Sequence, residues 1–296
     1  MTQLHFTDCR FEHLSTENIQ AHQLCFLRCK FAAVSLSKSL FNSCTFIECE
    51  IDTITLTECG LLSVSFQQTT IQSLNAGKCL AERCMISGGK VSESVWKEVS
   101  LSYWSANDCE ISNWHTEGGL VQDSNWFGCT INQFRCTGVQ IVRLVSDNSK
   151  LTDCQFTGNE CDILVWQNCQ LTRTDLRKLN LASAGFAKSR LEQCRLDDSN
   201  LHYAQFNGGS LHDCTLDDTK LTRTDMRFCQ LKQTPLHNAA VQKVRLHGAE
   251  TGLTDRGQKA DEPLLTSIDL WYARHQPGLK DDTGSPRLTP GASRYV

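Results

Sequence analysis

From Phe6 to Leu246 one register of five residues runs without a slip, and its central position is almost always large and apolar. The pattern is plainest over residues 171–246, which begin LTRTD LRKLN LASAG FAKSR LEQCR. Of 49 central positions only Thr16, Thr116 and Ser146 are not apolar. Two residues before the centre a small residue is common, often Cys, Ala, Ser or Thr. A period of five fits neither an isolated helix, at 3.6 residues, nor an isolated strand, at 2.0. It is therefore the period of a structural repeat.

The centres can be folded by twenty. One column then reads Phe6, Phe26, Phe46, Phe66, Ile86, and the next reads Phe11, Phe31, Ile51, Ile71, Val91. Aromatic and aliphatic residues separate by column, which stacking of every twentieth residue explains and a five-residue period alone does not. This predicts about 12 coils, and at about 4.8 Å per rung a length of about 58 Å.

The same register resembles the pentapeptide repeat family, whose unit is a small residue, Asp or Asn, a central Leu or Phe, then two polar residues. Leu176, Leu181, Phe186, Leu191 and the centres after them to Leu231 carry the likeness, with Asp175 and Asn180 keeping the acidic or amide position. The resemblance implies an all-β solenoid, a right-handed quadrilateral parallel β-helix with one pentapeptide per side. Over residues 76–166 the centres weaken to Ala76, Ala81, Ala106, Cys136 and Cys161, and five of the six tryptophans gather there, all at inward positions. Trp104 and Trp114 take the small position, each two residues before a small centre, Ala106 or Thr116. Close packing of the lumen accounts for this; the alternative is that a ring turns outward to bind.

Outside the inward register the same stretch places Tyr103, Leu120, Phe127, Val142, Val145, Ile163 and Val165. Val145 and Val165 are twenty apart and are expected to stack. A contiguous exposed apolar patch marks a contact site, and these seven residues are the candidate partner-binding set.

The 17 cysteines do not read as a disulfide framework, because an odd number cannot all pair and no leader-like apolar run opens the chain. Fourteen of them occupy the small inward position. Cys is a small, readily buried hydrophobe, whereas zinc needs ligands converging from several directions. Reduced thiols point to the cytoplasm. Charge is uneven: residues 1–125 carry 8 basic and 14 acidic groups, or −6, and residues 126–246 carry 15 and 12, or +3. That balance predicts no direct nucleic-acid binding.

The register ends near Leu246, which gives a repeat domain over 1–246, a cap over 247–278 and a flexible tail over 279–296. Asp261-Glu262-Pro263 opens a predicted helix. Leu264, Leu265, Ile268, Trp271 and Tyr272 share its apolar face, and Pro277-Gly278 ends it. Its expected role is to cap the last coil. In proteins that this chain resembles, such a segment also joins a homodimer, so a dimer contact is expected there.

No GxSxG, phosphate loop, HExxH or paired CxxC occurs, and a solenoid without inserted loops offers no deep cleft. The sequence thus predicts no enzyme, no cofactor, no metal and no membrane span. The reading it favours is a non-catalytic protein-binding scaffold or adaptor of bacterial type, one version of which accompanies a secreted effector or secretion machinery. The second reading follows the resemblance: some pentapeptide proteins imitate duplex DNA and bind a type II topoisomerase such as gyrase. The acidic first half fits that reading. The projecting loops of the quinolone-resistance branch are missing.

Overall fold

The computed structural model describes residues 4–236 and 238–250. Over them the chain is a parallel β-solenoid of about 12 turns. It falls into two compact units, the first ending at Leu164 and the second beginning at Val165. The expected cap helix with Leu264, Leu265, Ile268, Trp271 and Tyr272, and the tail after it, lie outside the described residues.

The twenty-residue columns are the hydrogen-bonded ladder. In the first unit Phe6 pairs with Phe26, Phe26 with Phe46 and Phe46 with Phe66. In the second, Leu171, Leu191, Leu211 and Leu231 follow one another in the same way. The sides are numbered here by their first centres: side one from Phe6, side two from Phe11, side three from Thr16 and side four from Ala21.

Corners are made by the second residue after a centre, held in the left-handed region: Asp8 at φ 55°, Asn18 at 60°, Gln23 at 54° and Arg28 at 51°. Such a φ costs an L-residue about 1–2 kcal/mol. The rungs repay it, since the corner N–H of Asp8 donates to Leu27 O at 3.0 Å and that of Arg28 to Ile47 O at 2.9 Å. Where this residue stays extended the strand runs through the corner. Lys30–Ser37, Glu50–Thr57 and Thr70–Gly77 therefore cover sides two and three unbroken. In the second unit the strands contract to Gln170–Thr172, Arg190–Glu192 and Ser210–His212. Its other sides are mostly turns joined by single bridges such as Asp175↔Arg195 and Gln205↔Asp225, with one short strand pair, Lys220–Thr222 and Ala240–Gln242, on side four.

The lumen is filled by the centres. Phe6, Phe26, Phe46 and Phe66 stack with ring centroids 4.9–5.0 Å apart, and Phe186 lies 4.9 Å from Phe206. Parallel stacks at this spacing are the aromatic form of the rung repeat. The small position has a chemistry of its own. Thr69 Oγ1 accepts from Cys49 N–H at 3.3 Å and faces the Phe46 and Gln67 carbonyls at 3.2 and 3.0 Å. Ser39, Ser149, Ser189 and Ser199 likewise accept from the N–H twenty residues earlier, at 3.0–3.2 Å. Each small polar residue thereby satisfies a buried backbone donor of the turn before it.

The tryptophans face inward. Trp96, Trp104, Trp114, Trp126 and Trp166 are all buried, and Ala106 beside them is fully enclosed. Trp104 meets Trp114 edge-on at 5.7 Å, and Trp96 meets Trp114 at 4.6 Å. The widened-core expectation holds, and no ring of this group turns outward.

Candidate protein-binding surface

Among the described residues no three His, Cys, Asp or Glu side chains are placed to hold a metal ion. No cysteine forms a disulfide, and all but Cys9 and Cys25 are buried. Burial raises Cys84 and Cys161 to about 11 and Cys136 and Cys229 to about 12. Their thiols are protonated near neutrality and make poor nucleophiles. In the native protein an Ellman titration near pH 8 is expected to reach Cys9 and Cys25 within minutes and the rest only on unfolding. Rapid reaction of many more thiols would mean that the lumen is open.

The paired histidines and aspartates of the second unit are also accounted for locally. His202 packs on Tyr203, whereas His212 bonds Gln233 at 3.1 Å, so the two do not converge. Asp197 accepts from Thr215 Oγ1 at 2.7 Å and from Asp217 N–H at 3.0 Å. The two LTRTD copies build the same device. Arg177 and Arg227 each clamp the aspartate two residues before them, with Nη2 to Asp175 Oδ2 at 2.6 Å and to Asp225 Oδ2 at 2.7 Å. Burial raises the Asp175 pKa, the Arg177 clamp lowers it, and the net shift is downward.

Inside the first unit an apolar void of about 90 Å³ runs among side chains from Leu14 to Trp104, and one of about 30 Å³ lies from Trp96 to Phe156. Both are lined almost wholly by apolar side chains, and no set of polar groups converges on either.

The outward positions are where the sides differ. In the first unit sides two and three carry charged and hydroxylic residues whose ions pair up the ladder: Lys30 with Glu50 at 2.6 Å, Lys38 with Glu17 at 3.0 Å and Lys90 with Glu110 at 3.5 Å. Side four and its corner to side one carry apolar groups. Tyr103 is 53% exposed, Ile163 43% and Phe127 40%, with Leu120, Val142 and Val145 half-buried near them. Among the charges on this surface Arg83 pairs with Glu82 and Arg143 with Asp123, each at 3.2 Å, while Glu160 and Asp162 stand exposed beside Ile163.

Val165 belongs to the second unit, where it bridges to Gly185. A Cβ on Gly185 would stand 3.2 Å from the Val165 methyl, so Val165 covers the ladder at a residue without a side chain. Two further exposed leucines, Leu80 at 64% and Leu40 at 37%, lie outside the predicted set. Both stand directly before a centre of side four. Folding that outward position by twenty, as was done for the centres, brings them out.

A register of twenty and an apolar lumen define the class: a repeat β-solenoid that, among the described residues, exposes apolar groups on side four and its corner to side one. Within that class the second unit carries pentapeptide repeats. Residues 174–213 and 199–238 match the model for pentapeptide repeats, with 8 copies. No curated protein matches the chain. Among solved structures, HetL, a pentapeptide repeat protein involved in heterocyst differentiation regulation from the cyanobacterium Nostoc sp. strain PCC 7120, is 12% identical. That match covers 80% of this chain and 89% of HetL, with a TM-score of 0.24. Rfr23 from the cyanobacterium Cyanothece 51142 is 17% identical over 46% of this chain and 91% of its own, with a TM-score of 0.24. A trypsin-treated form of QnrB1, a plasmid-mediated fluoroquinolone resistance protein, is 10% identical over 86% and 96%, with a TM-score of 0.30. The ladder of this chain, more than these distant likenesses, defines its fold.

No helix among the described residues is long and apolar enough to cross a membrane.

Proposed function

We propose that the protein is a non-catalytic scaffold that takes a protein partner on the apolar surface of its first unit. The observation that carries this is the contrast between sides. Tyr103 and Ile163 are exposed at the corner of side four and Phe127 on side one, with Leu40 and Leu80 on side four, while sides two and three carry ion pairs and, among large apolar groups at outward positions, expose Val95. A rigid ladder presents such groups at fixed spacing, so binding costs little conformational entropy, and exposed aromatic residues anchor interfaces. An adaptor that accompanies a secreted effector or its machinery is one form of this role. The buried thiols, none of them in a disulfide, favour a reducing compartment, the cytoplasm.

DNA mimicry draws support only from the −6 balance of residues 1–125. Many of those carboxylates are partnered by cations of neighbouring rungs, as in Lys30–Glu50 and Arg28–Asp8. The surface is then a mosaic rather than an acidic track.

The test is affinity capture from native lysate with the wild type and with a Val145→Lys/Ile163→Lys/Val165→Lys variant of unchanged β-sheet circular dichroism. A protein held by the wild type at both low and high salt, and lost by the variant, is the expected result. A topoisomerase retained by both, with binding that weakens steeply as salt rises, would overturn the proposal in favour of mimicry.

A further inference from the structure

Directly before the centres of side four, the first unit reads Leu40, Gly60, Leu80, Ser100, Leu120, each paired in the ladder with the next. Large and small residues alternate, so leucines recur every two rungs, about 9.6 Å. Leu80 stands 64% exposed at the middle of the series. Leu40 leans over Gly60, its Cδ1 lying 2.9 Å from where a Cβ would stand, and Ser100, on the rung after Leu80, is half-buried. The neighbouring corner carries Arg83 and Tyr103 on successive rungs.

We infer that this side pairs with the same side of a second copy of the chain, the two running antiparallel. The two-fold axis crosses the surface between the rungs of Leu80 and Ser100. The inference rests on the reading that this surface binds protein, and it names one occupant. Under that axis Leu80 meets Ser100 of the second copy, and Leu120 meets Gly60 beside Leu40. Arg83 meets the ring of Tyr103, the geometry of a cation–π contact. Glu82 faces Ser102, and Asp123 faces Ser63, so no charge on the side meets its like. Moving the axis half a rung, onto Leu80, would set Leu80, Glu82 and Arg83 each against its own copy. An offset axis seats large against small and avoids like charges, and an isologous interface must be self-complementary in this sense; of the two offsets beside Leu80, this one brings Arg83 to Tyr103, whereas the other, between the rungs of Gly60 and Leu80, sets Glu82 against Leu62. A foreign partner has no need of a surface that matches its own reverse.

From Leu40 to Leu120 the side climbs four rungs, about 19 Å. That is a small interface beside the ~800 Å² per partner of a standard one. The pairing is therefore weak and concentration-dependent.

The full chain is tested by sedimentation equilibrium from micromolar to near-millimolar concentration. The wild type is expected to pass from monomer to dimer. Leu80→Asp, at an exposed site, should keep the wild-type circular dichroism and melting temperature while weakening the dimer at least about tenfold. Register is read by oxidative cross-linking: a mixture of Leu80→Cys and Ser100→Cys chains should give a disulfide-linked dimer that neither variant gives alone. A wild type that stays monomeric overturns the inference. So does a dimer indifferent to Leu80→Asp, or a cross-link formed by Ser100→Cys alone. Patch-dependent capture by a wild type that stays monomeric would remove this inference and leave the proposed function standing.

Discussion

Gly119→Ala is expected to destabilise the first unit by about 4 kcal/mol or more, at the upper end of single substitutions. Gly119 holds the small inward position, and a Cβ there would lie 2.2 Å from Val99 O and 2.8 Å from Val99 N. Those atoms are backbone of the neighbouring rung, so no side chain can swing aside and the ladder itself must shift. Its φ of 91° adds a conformational cost of roughly 1–2 kcal/mol. The two contributions can be separated. Gly138, at φ 62° with nothing within 4 Å of its would-be Cβ, should lose only about 1 kcal/mol as alanine. Gly89 lacks the unusual φ but would place a Cβ 2.5 Å from Thr69 O, so Gly89→Ala reports the overlap alone. Urea unfolding followed by circular dichroism should rank Gly119→Ala as the most damaging, then Gly89→Ala, then Gly138→Ala. Equal midpoints for Gly119→Ala and Gly138→Ala would show that the rungs are not in close register at Val99.

That ranking depends on the twenty-residue column, and the column was legible in the sequence. Phe6, Phe26, Phe46 and Phe66 stack because each is the same distance along a coil, and their spacing in the chain states that distance. The inward tryptophans were legible through volume: Trp104 and Trp114 sit beside Ala106 and Thr116, and a packed lumen admits both only if large faces small. The corners were not legible. Arg28, Lys38 and Tyr103 adopt left-handed φ near 50° although none is a turn-forming residue. Their conformation is imposed by the rungs above and below, and local propensity carries no trace of it. The surface was half legible. Tyr103, Phe127 and Ile163 stood out because they break the polar rule in a degenerate stretch. Leu40 lies in the regular coils and Leu80 at the start of the degenerate stretch, and in either place a single leucine at an outward position attracts no notice until its column is assembled.

The small position was read for its size, and its hydrogen bonding went unread; Thr69→Val tests the difference. Valine keeps the shape of threonine, and Thr69 is fully buried. If volume alone mattered, the change would be neutral or mildly favourable. In the structure Cys49 N–H donates to Thr69 Oγ1, whose hydroxyl lies within reach of the Phe46 and Gln67 carbonyls. Valine removes that acceptor and leaves a buried N–H unpaired, a loss of about 1–3 kcal/mol. Serine at 69 retains the oxygen and should lose only the methyl packing. Cysteine should fall between serine and valine, because sulfur is a weak acceptor. The chain already uses it so, with Cys59 N–H donating to Cys79 Sγ at 3.4 Å. The expected order of unfolding midpoints is therefore Thr, Ser, Cys, Val. A Thr69→Val midpoint equal to wild type would reduce the position to volume. The expected order would give the abundance of cysteine a physical reason: a residue small enough for the lumen, apolar enough to bury, and just polar enough to receive the N–H of the turn before it.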